Sequence, residues 1–185
     1  MPASNFRTTW LASSLTALRE RSLFSAYLGH LPRDYHDLIV GSIAGQWAPI
    51  EVARQHYDAC DQLGLDKETL EQIGVSVTQR VHGTALSTVV KLAKQGGVNP
   101  WVGLAQLNRL WGRVWDGGGV GVYRVGPKDA VVEIAAWPLA DISYLRDTMP
   151  SVVRAMVELF CRRAYSHLHR PLCSRQSLGI HISWA

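Results

Sequence analysis

The sequence predicts an α+β fold in which a helical N-terminal part packs on a small, mainly antiparallel sheet, in the order helices–helix–β–β–helix–β. Three observations carry it. Between Pro49 and Ala85 apolar residues recur at steps of three and four, the helical period. Two β-rich runs, Val120–Val125 and Ala130–Ala136, flank Gly126-Pro127-Lys128-Asp129, which is turn chemistry. Finally, Ser177–Trp184 alternates Leu178, Ile180, Ile182 and Trp184 with Gly179, His181 and Ser183, the period of two of a half-buried strand.

Taken in order, Phe6–Leu15 reads as a short strand or the start of a helix, and Leu15, Leu18, Leu23 and Tyr27 favour helix beyond it. Pro32 breaks the chain, because the residue before a proline is pushed out of the helical region. A short helix follows over Tyr35 to Ile43. The next starts at Trp47-Ala48-Pro49, with Pro49 in its first turn, Glu51 complementing the dipole and Gly64 as its stop. Its inner face is Ile50, Val52, Ala53, Tyr57, Cys60 and Leu63. Asp66 caps a further helix carrying Leu70, Ile73, Val77, Val81 and Ala85. Gly74 and Gly83 lie within that pattern, each costing about 1 kcal/mol relative to alanine. Close helix–helix contact, a break at Gly83, or room for a ligand would account for them.

Asn99 caps a helix over Asn99 to Trp115, with Pro100 at its first position and Leu104, Leu107, Leu110, Trp111, Val114 and Trp115 on one face. Gly117-Gly118-Gly119 ends it and leads into the two β runs. After Trp137-Pro138 a helix is expected from near Pro150 to about His167, with Val153, Met156, Val157, Phe160 and Ala164 inward.

The 185 residues suit one domain spanning 1–185, and no internal repeat or linker divides them. The composition is globular, 47% hydrophobic and 18% charged with seven tryptophans. There is no run of about 18 apolar residues to span a membrane and no signal-peptide pattern. Cys60, Cys161 and Cys173 form no disulfide framework, so a reduced, cytoplasmic protein is expected. A net charge of +4 is accounted for by solubility. It concentrates in Arg154, Arg162, Arg163, Arg170 and Arg175 with His167 and His169, a set that would bind nucleic acid or an anionic surface only with steep salt dependence.

Trp47-Ala48-Pro49-Ile50 before a helix, Gly74 with Gly83-Thr84 in the following one, and the closing His181-Ile182-Ser183-Trp184 resemble a family of uncharacterised bacterial proteins. That family is related by fold to the ligand-binding superfamily of H-NOX haem sensors, vinyl-four-reductase domains and TRAPP transport-particle subunits. The resemblance spans roughly residues 8–185. It implies a cavity between helices and sheet for an apolar or aromatic molecule, an acyl chain or a tetrapyrrole, and association through apolar surfaces as a homodimer or with a partner protein. Two departures stand against carrying over the ligand. H-NOX sensors bear a Tyr-x-Ser-x-Arg haem-propionate motif, whereas Tyr165-Ser166-His167-Leu168-His169-Arg170 does not match it. The cysteine cluster of some vinyl-four-reductase domains is also missing.

Catalytic signatures are absent: no nucleophile elbow, no Cys/His/Asp set and no paired carboxylates. Gly117–Gly121 follows a helix and precedes a strand, the reverse of a phosphate loop. Cys161, His167, His169 and Cys173 are zinc-ligating residue types without the spacing of a finger. His56 and His82 are the helical histidines that could serve as a haem axial ligand. The tryptophans Trp101, Trp111, Trp115, Trp137 and Trp184 gather near one helix–sheet junction, as core or as an apolar pocket wall. The expectation is a non-enzymatic sensor or signalling domain for a hydrophobic small molecule, with Val81, Trp111, Trp115, Trp137 and Phe160 in the pocket. A protein–protein interaction module with a filled core and a haem-binding sensor are the alternatives.

Overall fold

The computed structural model describes residues 1–82 and 99–185, with the side chains of Val81 and His82 outside the description. The chain starts as a strand, β1 (Asn5–Arg7), and passes directly into α1 (Thr8–Glu20). Helices α2 (Phe24–His30) and α3 (His36–Val40) follow across the Pro32 break. Trp47–Pro49 is a strand, β2, rather than a first helical turn. The fixed φ of Pro49 is served by extended backbone at ψ 145°, and α4 (Ile50–Asp61) starts one residue later. Gly64 stops that helix region at φ +60°, a conformation that favours glycine. Asp66 Oδ1 then accepts from the Thr69 amide at 2.8 Å and opens α5 (Lys67–His82). Gly83, Thr84 and the Gln95-Gly96-Gly97 turn lie outside the described residues.

The single helix expected over Asn99 to Trp115 is two short ones, α6 (Pro100–Leu104) and α7 (Leu107–Trp111). Asn99 does cap the first, its side chain accepting from the Trp101 amide. The Gly103 carbonyl accepts from the Gln106 amide, a tighter turn that re-aims the backbone between the two. Trp115 therefore belongs to a strand, β3 (Trp115–Asp116), and Trp101, Trp111 and Trp115 sit on three elements. β4 (Gly119–Gly126) and β5 (Asp129–Ala135) form the expected hairpin.

The following helix starts and ends earlier than the sequence suggests: α8 covers Ser143–Val157, with Pro150 inside it. Proline removes one intrahelical bond, and packing on both sides of α8 outweighs that loss. The Pro150 carbonyl also accepts from Ser166 Oγ at 2.7 Å, which ties α8 to the segment after it. Beyond it, Ala164–Leu168 is a strand, β6, paired with β7 (Leu178–Trp184), because pairing to an existing strand is open to that segment once the helix has stopped.

Two antiparallel sheets result, not one: β2-β1-β3 and β4-β5-β7-β6. In the larger sheet Val120↔Ile134↔Leu178, Val122↔Val132↔Ile180 and Ala130↔Ile182 pair across strands. Ile134, Leu178, Val132, Ile180 and Ile182 are buried at 2% exposure or less, so this face is the core floor. α8 lies over it, and α5 packs against α8. They cross at Gly74, where an added Cβ would meet Ser151 Oγ, and the Thr148 carbonyl oxygen at 2.8 Å. Among the described residues no helix is long and apolar enough to cross a membrane.

Candidate ligand cavity

Between α1, α5, α7, α8 and the sheet lies a cavity of about 90 Å³. The helical roof is Leu145, Met149, Val152, Val153 and Met156 of α8, with Thr78 of α5, Tyr57 of α4 and Trp10 of α1. The sheet supplies Val120, Val132 and Ile134. Leu107, Leu110 and Trp111 of α7, with Val114 and Trp115, complete the wall beside Trp137. Among the described residues no charged side chain lines it. Leu110, Val114, Val120 and Met156 are half-buried, so the cavity approaches solvent on that side. A satellite space of about 20 Å³ adjoins it through Trp10, Tyr57, Leu145, Met149 and Val152.

Three of the tryptophans are held together here. Trp111 stacks on Trp115 with centroids 5.4 Å apart, and Trp137 presents its edge to both at 5.6 and 5.5 Å. The glycine turn fixes them. Gly117 and Gly118 take φ +93° and +64°, and the Gly117 carbonyl accepts from Trp111 Nε1 at 3.0 Å. On the other side β5 ends at Ala135, Ala136 adopts φ +53°, and Trp137 follows with 1% exposure. Trp101 and Trp184 are elsewhere. They pair edge to face at 5.0 Å, Trp101 Nε1 donates to the Pro127 carbonyl, and Arg124 lies over the Trp101 ring.

Of the residues singled out from sequence, Trp111, Trp115 and Trp137 lie in the wall. Phe160 lies against Gly103 and lines a separate space of about 10 Å³. The Val81 and His82 side chains are outside the description. The sequence reading missed Trp10, Tyr57, Thr78, Met149 and Val152. Tyr57 falls on a helical face that the periodicity assigns to ordinary core, Trp10 falls in the stretch left open between strand and helix, and nothing local marks either as cavity-facing.

His56 does not line the cavity. It is fully buried, with Nδ1 2.7 Å from Tyr27 Oη, Nε2 2.9 Å from Ser14 Oγ and Cys60 Sγ 3.8 Å from Nε2. Burial lowers its pKa to about 3, so the ring is neutral. The same burial raises the Tyr27, Tyr57 and Cys60 groups well above their ordinary values. Cys161, His167, His169 and Cys173 are dispersed. Cys161 Sγ donates to the Val157 carbonyl and Cys173 Sγ to that of His169, while His167 packs against His181 with centroids 4.7 Å apart on the outer face of the sheet. Among the described residues no three His, Cys, Asp or Glu side chains gather to hold a metal. The basic set is also spread: Arg154 pairs with Glu71 and Arg163 lies over Tyr165.

No protein-family model matches the chain, and no curated protein matches it. Solved structures do. An Fe(II) unliganded H-NOX protein from K. algicida superposes with a TM-score of 0.66 at 8% identity, over 97% of this chain and 96% of that one. An oxygen-binding H-NOX domain related to soluble guanylate cyclases gives 0.62 at 10%, over 96% and 94%. A point mutant of the T. Tengcongensis H-NOX gives 0.64 at 10%, over 96% and 97%. At such identities the likeness concerns architecture, the α+β order of helices and antiparallel sheet described above, and it extends over nearly the whole length of each chain. The chain has the H-NOX fold.

Proposed function

We propose that this chain is a single, non-enzymatic sensor or binding domain that holds a small hydrophobic molecule in the cavity between α8 and the sheet. The observation that carries it is the wall itself: three packed tryptophans and a row of aliphatic and thioether side chains border about 90 Å³, with no charged group among the described lining residues. A native core close-packs and leaves few voids larger than a water. An empty apolar cavity costs about 24 cal/mol per Å³, so this one would cost about 2 kcal/mol left unfilled. Cavities of this kind stay dry and take up compact apolar guests.

Similar structures include an Fe(II) form and an oxygen complex, and others concern haem distortion. The described residues of the wall offer haem little, and the His82 side chain, the other candidate axial ligand, lies outside the description. Cofactor sites enclose about 300–1,000 Å³, several times the space present. The usual axial ligands are histidine, cysteine thiolate, methionine paired with histidine, and tyrosine. Among the described residues the wall contains no histidine or cysteine, Tyr57 is kept protonated by burial, and His56 is committed to Tyr27 and Ser14. Nor does any arginine line it to meet propionates.

An absorption spectrum of freshly purified protein combined with native mass spectrometry tests this reading. The expected result is no Soret band and an adduct of low mass that dissociates on unfolding. A stoichiometric Soret band would overturn it in favour of the haem sensor.

A further inference from the structure

Among the described residues, two indole N–H groups in the cavity wall have no acceptor. Trp10 Nε1 and Trp137 Nε1 are both buried and neither has a hydrogen-bond partner among the described residues. Both rings line the same 90 Å³ space. Their neighbour Trp111 shows the ordinary arrangement, its Nε1 donating to the Gly117 carbonyl. Leaving a buried donor unmade costs about 1–3 kcal/mol, and such orphans are few in native proteins. The edge contacts of Trp137 with Trp111 and Trp115 offer it π faces, which are weak acceptors. Among the described residues Trp10 has no aromatic partner of that kind. Among the described residues the lining offers no competing carboxylate or other charged group, and its hydroxyls are those of Thr78 and Tyr57. Thr78 Oγ1 is already turned back to the Gly74 carbonyl at 2.8 Å.

We infer that the guest of this cavity is a compact, uncharged molecule carrying a hydrogen-bond acceptor, such as an ether or carbonyl oxygen, which receives the N–H of Trp137 or Trp10. This rests on the proposed binding function and narrows it. A charged guest is disfavoured, because the lining offers no counter-charge and desolvating an ion is expensive. A pure hydrocarbon fills the space and leaves both donors orphaned, so the acceptor is what distinguishes the preferred guest.

Two ring compounds of nearly equal shape separate the claims: cyclopentane, which has no acceptor, and tetrahydrofuran, which has one ether oxygen. Indole N–H resonances of protein labelled with ¹⁵N at tryptophan are followed as each is added. Binding of either compound at the cavity supports the binding function. A downfield shift of the Trp137 or Trp10 indole proton with tetrahydrofuran but not with cyclopentane supports the acceptor. The variants W137F and W10F give a second readout. Loss of the donor lowers affinity for tetrahydrofuran relative to cyclopentane by about three- to tenfold. Equal indole shifts with both compounds, together with an unchanged affinity ratio in both variants, would overturn the acceptor and leave the cavity intact. If neither compound perturbs any cavity tryptophan, the binding function itself fails.

Discussion

Replacing Val153 by isoleucine asks whether the cavity is real space. Val153 is 4% exposed on α8 and faces the 90 Å³ space. At about 24 cal/mol per Å³ the whole void is worth about 2 kcal/mol. One added methylene recovers part of it and brings its own transfer term of about 0.8 kcal/mol. Both residues are β-branched and share their preferred helical rotamer, so little conformational entropy changes. V153I is therefore expected to stabilise the protein by about 1 kcal/mol, raising Tm by about 2–4 °C for a domain of this size. It should also weaken cyclopentane binding. The same change at Val157, one turn along, meets only the 10 Å³ space beside Phe160, room for a single water at most. V157I should therefore be neutral or destabilising by about 1 kcal/mol through overpacking. Denaturant titration of both variants with equal m-values is the assay. Destabilisation of V153I by 1 kcal/mol or more would show that the space is already occupied by side chains, and the argument from void volume would fall.

Two further outcomes follow from the packing around the cavity. G74A places a methyl against Ser151 Oγ and the Thr148 carbonyl. Overpacking of about 1–3 kcal/mol is set against a gain of about 1 kcal/mol in helix propensity, for a net loss of up to about 2 kcal/mol. The loss should be smaller by about 0.5–1 kcal/mol in an S151A background, and additivity within error would show that the two helices do not meet there. His56 gives a pH dependence. Its folded pKa of about 3 lies below the unfolded value of 6.5, so its contribution is full above 6.5 and is lost as pH falls toward 3. The slope is about 1.4 kcal/mol per pH unit in that window. H56Q should flatten it, and an identical acid transition in H56Q and the parent would assign the loss to other groups.

Periodicity carried the element types well where one face of a strand or helix is buried. Ser177–Trp184 alternates because one side of β7 is core, and the hairpin turn declares itself in Gly126-Pro127-Lys128-Asp129. It failed where tertiary contacts override local preference. Asn99–Trp115 keeps a helical pattern, yet the chain breaks into α6 and α7 so that Trp111 can reach Gly117 and Trp115 can pair with Phe6. Pro150 reads as a helix start but lies within α8, where burial of Met149, Val152 and Val153 around it outweighs the intrahelical bond that its missing N–H costs. The N-terminal strand was ambiguous for the same reason. Three residues, Asn5–Arg7, are stabilised as β1 only by β2 and β3 on either side. As for the site, Trp111, Trp115 and Trp137 were visible as an aromatic excess. That Trp10 and Tyr57 face the same space depends on how α1 and α4 pack, which no local pattern records.

Occupancy of the cavity is most directly tested by crystals equilibrated under xenon, an apolar probe that reports position through its anomalous scattering. The account predicts a single strong site bounded by Trp111, Trp137, Val132 and Met149, lost when a guest such as tetrahydrofuran is present. No xenon there at pressures that fill comparable apolar cavities would contradict it.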